Sequence, residues 1–227
     1  MQDPGFVKRA FTDIADRYVL TNHVLSLGTD ILWRRKLGGM IEKLEPKEVL
    51  DIATGSGDVA AEIAKRCPDA EILGVDFCQP MLLHARKRGL SKLVVADGLR
   101  LPFADESFDV TTVAFGLRNM ASWKDGLMEM ARTLKPGGTL YVLDFSQPTW
   151  RLLRGPYLFY LHRVLPKVAG LLTKQRQAYE YLSSSIDQFP HGSAMCELIE
   201  ETGFASAKSV PLSFGRASIY VAKRSSN

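Results

Sequence analysis

The chain has 227 residues, of which 46% are hydrophobic and 24% are charged, and its formal net charge at pH 7 is +4. This length suffices for one large domain with a complete core and does not require a second domain. No run reaches about 18 uninterrupted apolar residues, and charged residues precede any apolar run at the N-terminus, so we expect neither a transmembrane helix nor a conventional signal peptide. The mild positive charge would suit an anionic membrane surface or nucleic acid but requires neither.

The three cysteines, Cys67, Cys78 and Cys196, form no C-x-x-C pair and no even disulfide framework. A reducing compartment is the simpler interpretation, and we expect a cytoplasmic protein whose thiols are small buried hydrophobes. The four histidines show no metal-ligand spacing, so no metal site is predicted.

Two amphipathic helices are predicted before the first strand, because apolar residues recur at helical spacing within residues 7–18 and again within residues 31–44. From residue 48 onward, apolar strands alternate with helical segments. The predicted strands lie at residues 48–52, 72–76, 93–97, 109–115 and 139–145. Strands separated in this way imply an α/β fold with a doubly wound, mostly parallel sheet and helices on both faces.

The alternation stops after residue 145. Residues 149–188 are predicted to be helical, and a helix near 194–201 then leads to two short strands. The single domain therefore divides into four segments: an N-terminal helical cap (1–45), a cofactor-binding core (46–145), a helical insertion (146–192) and a C-terminal helix with strands (193–227).

The insertion has an uneven charge distribution. Residues 145–179 contain no Asp or Glu, whereas six Arg and Lys residues are interleaved there with aromatic and aliphatic side chains. One interpretation is a core helix with a solvated basic face. The other is a surface that contacts anionic lipid.

A glycine turn follows the first strand. Gly55 and Gly57 let the backbone bend sharply and approach a ligand, and Asp58 opens a helix whose free N–H groups favour acceptor-rich ligands. Residues 55–60 fit the pattern G-x-G-x-x-A, and Asp76 lies 19 residues beyond Gly57, where its carboxylate can accept both ribose hydroxyls. This motif alone leaves a nicotinamide dinucleotide and S-adenosylmethionine both open.

Three further features favour S-adenosylmethionine because they resemble the class I methyltransferases. Asp51 stands just ahead of the glycine turn, as in the glycine-rich motif of that superfamily. Asp97 and Gly98 end the third strand, where such enzymes receive the adenine. The run Leu-Lys-Pro-Gly-Gly at residues 134–138 is also common there, and its residues 135–138 are predicted to form a tight turn before strand five.

A closer resemblance rests on the run Phe-Gly-Leu-Arg-Asn at residues 115–119, after strand four. Further matching runs lie at residues 101–103, 107–109, 143–148 and 179–182, together with Tyr18, Asn22, Ser26, Gly28, Trp33 and Arg34. Over almost its whole length the chain resembles the ubiquinone/menaquinone biosynthesis C-methyltransferases. It departs from their usual pattern at Ser56, where Thr is usual, at Asp97-Gly98 in place of Asn-Ala, at Asp144 in place of Glu, and in residues 215–220.

The resemblance implies transfer of a methyl group from S-adenosylmethionine to a ring carbon of a polyprenylated hydroquinone. It places nine residues at the cofactor: Asp51, Gly55, Ser56, Gly57, Asp76, Phe77, Asp97, Gly98 and Ala114. Arg118 is the expected catalytic clamp on the developing phenolate, and Asn119 is expected to hold a quinol oxygen. The alternative for Arg118 is that it pairs with an acidic neighbour and shapes its loop.

The predicted substrate-binding residues are Tyr18, Asn22, Trp33 and Tyr179, with packing in the core as the alternative for the aromatic ones. The expected partners are the polyprenylated quinol and, peripherally, an anionic membrane; nucleic acid is not expected, and a homodimer is left open. Two other functions also stay open at this point: a nicotinamide-dependent oxidoreductase, and a non-catalytic quinone-binding scaffold subunit.

Overall fold

The computed structural model describes residues 26, 28–148, 155, 157–160, 163 and 184–226. The helix predicted over residues 7–18 and most of the insertion lie outside these residues. The division of the chain into four segments therefore stays a prediction.

The strands of the described residues form one seven-stranded sheet in the order β3-β2-β1-β4-β5-β7-β6. They are β1 (Glu48–Ile52), β2 (Glu71–Asp76), β3 (Leu93–Val95), β4 (Phe108–Ala114), β5 (Leu134–Phe145), β6 (Phe204–Leu212) and β7 (Ala217–Arg224). The first five strands pair in parallel, and β7 runs antiparallel to both of its neighbours. This topology confirms the predicted doubly wound, mostly parallel sheet.

Five α-helices lie wholly within the described residues: α1 (Asp30–Glu42), α2 (Asp58–Arg66), α3 (Gln79–Lys87), α4 (Trp123–Thr133) and α5 (Ser193–Glu200). In α1 the side chains of Trp33, Leu37 and Ile41, which are four residues apart, are buried. The side chain of Ser122 caps the start of α4 by accepting a hydrogen bond from the Asp125 N–H at 3.2 Å. None of these helices is long and apolar enough to span a bilayer.

Alternating residues of the central strands enter two hydrophobic cores on opposite faces of the sheet. Val49 of β1 packs in one core with residues of α1 and α2, including Leu37. Leu50, its neighbour, packs in the other core with residues of α4 and α5, including Leu127. The central strands are therefore covered on both sides, and only their ends are open to ligands.

Two predicted boundaries are wrong in detail. Strand β3 ends at Val95, two residues early, because the Asp97 carboxylate accepts a hydrogen bond from the Leu99 N–H at 3.0 Å and turns the chain. The turn at residues 135–138 lies inside β5 as a bulge: Leu134 pairs with Phe108, while Thr139 pairs with Val110.

The chain moves outward from β1 to β3 and then returns to the other side of β1 with β4. In open α/β sheets this reversal creates a crevice at the carboxyl ends of the two central strands. The sheet order therefore predicts a ligand site after Ile52 of β1 and Ala114 of β4. The residues described below lie there.

Candidate active site

The turn after β1 is built from residues with left-handed backbone. Ala53, Gly55 and Gly57 have φ angles of 51°, 56° and 78°. Such a conformation is uncommon for a residue with a Cβ, and strained residues of this kind cluster at ligand sites. The Gly57 N–H donates to the Thr54 carbonyl at 2.8 Å and closes the turn.

Three adjoining cavities lie along the carboxyl ends of β1 to β4. All three are lined by Ala53, so they form one crevice. Nine of the predicted site residues line it: Asp51, Gly55, Ser56, Asp76, Phe77, Asp97, Gly98, Ala114 and Asn119. Gly57 does not line it; a Cβ there would lie 2.5 Å from Leu90 Cδ1, so this glycine lets the start of α2 pack closely.

The largest of these three cavities is an apolar slot lined by two acidic residues, one at the end of β2 and one just after β3. Ile52, Val75 and Met120 are among its apolar lining residues, and Asp76 and Asp97 add the carboxylates. A Cβ at Gly98 would lie 2.8 Å from Met120 Cε, so the missing side chain leaves room for the methionine against the slot. A flat heterocycle with outward hydrogen-bond donors suits such a slot.

Asp76 is buried and held by two backbone groups. Its Oδ2 accepts from the Gly55 N–H and its Oδ1 accepts from the Cys78 N–H, both at 2.8 Å. Burial raises the pKa of Asp76 to about 6, although the two N–H bonds act in the opposite direction. An ionised carboxylate oxygen has a second acceptor position, so both oxygens can still accept a hydroxyl.

Asp51 lies deeper, below the glycine turn. Its Oδ1 accepts from the Thr112 hydroxyl at 2.5 Å and its Oδ2 from the Thr54 hydroxyl at 2.7 Å. Burial raises the pKa of Asp51 to about 6, and the two hydroxyl bonds limit the rise. The residue lines the third cavity together with Thr54 and Ser56.

Sequence reasoning did not assign Arg34 to the cofactor site, although it belongs to the matching N-terminal residues. The side chain is 10% exposed and enters the third cavity from α1. Its Nη1 lies 2.9 Å from Asp30 Oδ2 and 3.8 Å from Asp58 Oδ1. The i,i+4 spacing of Asp30 and Arg34 predicts the first ion pair. No local sequence pattern predicts that Arg34 lies near Asp58, which is 24 residues away.

The segment 115–119 lies beside the crevice. Phe115 has a φ angle of 56°, and Asn119 Nδ2 donates to the Phe115 carbonyl at 3.1 Å. Arg118 Nη1 donates to the same carbonyl at 2.8 Å and to Asp144 Oδ1 at 2.6 Å. Asp144 is therefore the acidic partner that the alternative interpretation requires. Arg118 is not among the described residues that line the three cavities, so its contact with substrate stays a prediction.

Trp33 is packed in the core in the structure. Its ring lies 6.0 Å from the Phe145 ring, edge to face, and its Nε1 donates to the Ser213 hydroxyl at 2.9 Å. A role in substrate binding stays a prediction for Trp33. Tyr18, Asn22 and Tyr179 lie outside the described residues, and within those residues no group of three His, Cys, Asp or Glu side chains could hold a metal ion.

The model of the ubiE/COQ5 methyltransferase family matches residues 2–224. The chain belongs to the ubiE/COQ5 methyltransferase family. Among relatives of this family, a demethylmenaquinone methyltransferase of Thermus thermophilus is 42% identical over 219 residues, covering 94% of this chain and 99% of its own length. The demethylmenaquinone methyltransferase of Deinococcus radiodurans is 42% identical over 226 residues, with 97% and 93% covered.

A third relative, the ubiquinone/menaquinone biosynthesis C-methyltransferase UbiE of Geobacter sulfurreducens, is 40% identical over 226 residues, with 96% of this chain and 88% of its own covered. Among solved structures, a SAM-dependent methyltransferase of Thermotoga maritima, described as a possible histamine N-methyltransferase, has a TM-score of 0.68 at 20% identity and covers 95% of this chain and 99% of its own. An O-methyltransferase family protein of Burkholderia thailandensis has a TM-score of 0.63 at 16% identity, with 93% and 60% covered.

The structural neighbours show the fold, and the family match shows the enzyme class. The family match confirms the prediction that this member of the ubiE/COQ5 methyltransferase family is a methyltransferase, and the structural neighbours confirm its Rossmann-like core. The comparisons give no support to the oxidoreductase or to the scaffold subunit.

Proposed function

We propose that this enzyme transfers a methyl group from S-adenosylmethionine to a ring carbon of a polyprenylated hydroquinone, with demethylmenaquinol as the main acceptor and a methoxy-polyprenylbenzoquinol as a second. The observation that carries the proposal is the segment 115–119. Gly116 and Asn119 line the crevice. Arg118 contacts the Phe115 ring, with its guanidinium carbon 5.9 Å from the ring centroid, and pairs with Asp144. The names of the 40–42% identical relatives support the quinol as acceptor.

The polar groups of the crevice fit S-adenosylmethionine better than a dinucleotide. Among the described residues that line the third cavity there is one cation, Arg34, together with the carboxyl groups of Asp51 and Asp58. This mixture suits a zwitterionic amino acid, whereas a pyrophosphate would bring two further negative charges toward two acids. Asp76 would then hold the ribose hydroxyls and Asp97 the adenine amino group. The bound cofactor supplies an electrophilic methyl group.

The protein must ionise the quinol. A quinol hydroxyl should titrate near the tyrosine value of about 10, so ionising it at pH 7 costs roughly 4 kcal/mol. An adjacent arginine lowers the pKa of a neighbouring acid by about 1–3 units. Arg118 is proposed for this role, but Asp144 cancels part of its charge at 2.6 Å. Asp144 therefore sets both the position and the effective charge of the clamp.

The decisive experiment is a transfer assay with labelled S-adenosylmethionine and short-chain analogues of both quinols. We expect label on the reduced naphthoquinol, less on the benzoquinol, and none on either oxidised quinone, because only the reduced ring carries an ionisable hydroxyl. An Asp76→Ala variant, which lacks the ribose acceptor, serves as the inactive control. Absence of transfer to both quinols by folded protein would contradict the proposal.

We further propose that the enzyme contacts the membrane peripherally, since a polyprenyl tail partitions into lipid by about 0.8 kcal/mol per buried methylene. In the described part of the insertion, Phe159 is 64% exposed and Arg163 is also exposed. We expect the protein to co-sediment with anionic liposomes and to be released from them by salt. With neutral liposomes it should stay in the supernatant. Equal recovery in the supernatant with and without anionic lipid would overturn this part.

A further inference from the structure

We propose that Arg34 binds the carboxylate of the methionine part of S-adenosylmethionine, which would make α1 part of the cofactor site. This inference rests on the proposed cofactor. It assigns a ligand contact to a residue that precedes the core segment 46–145, which supplies the other described lining residues of the crevice.

The first argument is position. Arg34 lines the third cavity together with Ser56 and Gly55 of the glycine turn and with Asp51 below it. The large apolar cavity at the other end of the crevice takes the adenine, because it contains Asp97 and Gly98. The methionine part must then extend toward the third cavity. Arg34 is the one cation among that cavity's described lining residues.

The second argument is that Asp58 does not need Arg34. Ser56 Oγ donates to Asp58 Oδ2 at 2.5 Å, and Arg88 Nη2 lies 3.1 Å from Asp58 Oδ1. The distance from Arg34 to the same oxygen is 3.8 Å, too long for a hydrogen bond. A ligand carboxylate can therefore approach the guanidinium without leaving Asp58 unpaired.

The third argument is that Arg34 is held in place before any ligand arrives. Asp30 is fully buried, accepts from the Ser26 hydroxyl at 2.7 Å, and lies 2.9 Å from Arg34 Nη1. On another side, the Arg34 guanidinium carbon lies 5.9 Å from the centroid of the Phe115 ring. Guanidinium groups suit carboxylates because their planar fork donates two parallel hydrogen bonds, and a fixed fork loses little entropy on binding.

The test compares two ligands by isothermal titration calorimetry, without any need for turnover. S-Adenosylhomocysteine carries the carboxylate, and its decarboxylated analogue keeps the ammonium group but lacks it. Wild-type protein should prefer S-adenosylhomocysteine by at least about tenfold, since hydrogen bonds to a charged group contribute roughly 1.5–3 kcal/mol. In Arg34→Gln this preference should fall to within about threefold, while affinity for the decarboxylated analogue stays within about threefold of wild type.

Loss of Arg34 removes an ion-pair partner of the buried Asp30, so the single variant risks unfolding. The double variant Asp30→Asn/Arg34→Gln removes both charges and keeps an acceptor for Ser26, and it should show the same loss of preference. Arg35→Ala removes the same charge from the exposed neighbouring position and should retain the wild-type preference.

The outcomes separate two failures. If the variants lower affinity for both ligands by the same factor, or keep the full preference, Arg34 does not bind the carboxylate. If wild-type protein binds neither ligand, the proposed cofactor is wrong and the assignment of Arg34 is wrong with it.

Discussion

Arg118 Nη1 lies 2.6 Å from Asp144 Oδ1, and the two side chains are 2% and 0% exposed. Burial raises the pKa of Asp144 above its ordinary value, although the Arg118 charge acts in the opposite direction. Removing one partner of a buried pair leaves an uncompensated charge and typically costs about 3–5 kcal/mol, whereas replacing both is often neutral. We therefore expect Arg118→Met and Asp144→Leu each to lose about that much in urea denaturation, and the double variant to recover most of it. Additive losses would show that the pair is not coupled.

Asp144→Asn separates the structural role of the pair from a role in chemistry. This change leaves Arg118 with its full charge, which should lower the pKa of a bound quinol hydroxyl further than the wild-type pair does. We expect the rise of kcat with pH to move to lower pH, even though the variant is less stable. Measuring kcat from pH 6 to 9 at a temperature where the variant is folded checks this, and an unmoved profile would place Arg118 outside the reaction.

Asp51 should make the free protein less stable as pH rises. Its pKa is raised from an ordinary value of 3.8 to about 6. At a pH between these two values, the folded state keeps a proton on Asp51 that the unfolded state has already released. The free energy of unfolding should therefore fall by about 1.4 kcal/mol per pH unit between pH 4 and 6 because of this group, and then level off. Asp51→Asn should remove this fall and gain about 1–3 kcal/mol at pH 7.5 in urea denaturation, with little change at pH 4.

Asp76→Asn is the matched comparison, since the pKa of Asp76 is also raised to about 6. Here both carboxylate oxygens accept backbone N–H groups, from Gly55 and Cys78. An amide would turn its NH₂ toward one of these donors and leave it unsatisfied, at a cost of about 1–3 kcal/mol. We therefore expect no net gain at pH 7.5; stabilisation equal to that of Asp51→Asn would contradict the described contacts.

Binding of S-adenosylhomocysteine should weaken in acid because of Asp76. Only the ionised carboxylate offers an acceptor on each oxygen in addition to its two N–H contacts. The dissociation constant should be constant above pH 6 and rise by up to about tenfold per unit below it. Calorimetry from pH 5 to 8 measures this. Asp51→Asn should keep the same profile, which would assign the titration to Asp76.

Gly57→Ala tests the close packing at the start of α2. The added Cβ would lie 2.5 Å from Leu90 Cδ1 at a φ of 78°, so we expect a loss of about 2–4 kcal/mol in unfolding free energy. At Gly89 the φ is 91° and nothing lies within 4 Å of an added Cβ, so Gly89→Ala should cost only about 1 kcal/mol. Equal losses would show that backbone conformation, and not packing, decides the effect.

The predicted strands and the glycine turn agree with the structure because both depend on local signals, namely apolar runs and residues that tolerate positive φ. The pairing of Arg118 with Asp144 was predicted only as an unnamed acidic neighbour. Asp144 lies near the carboxyl end of β5, and Arg118 follows the carboxyl end of the adjacent parallel strand β4. The path of the chain between β4 and Arg118 passes through the left-handed backbone of Phe115, which no propensity predicts. Arg34 was not assigned to the cofactor because it reaches the crevice from a helix that precedes the alternating pattern.

The bulge in β5 lies at the amino ends of the parallel strands, whereas the crevice lies at their carboxyl ends. Lys135 Nζ lies 2.5 Å from Glu48 Oε2 and 2.7 Å from Asp109 Oδ1, so it joins the amino ends of β1 and β4 to β5. Gly137, at the tip, is exposed and has open space around it. A peptide tag or a fluorescent reporter inserted there would lengthen a loop already outside the register of the sheet. The enzyme can thus be immobilised through this loop with its crevice facing away from the support.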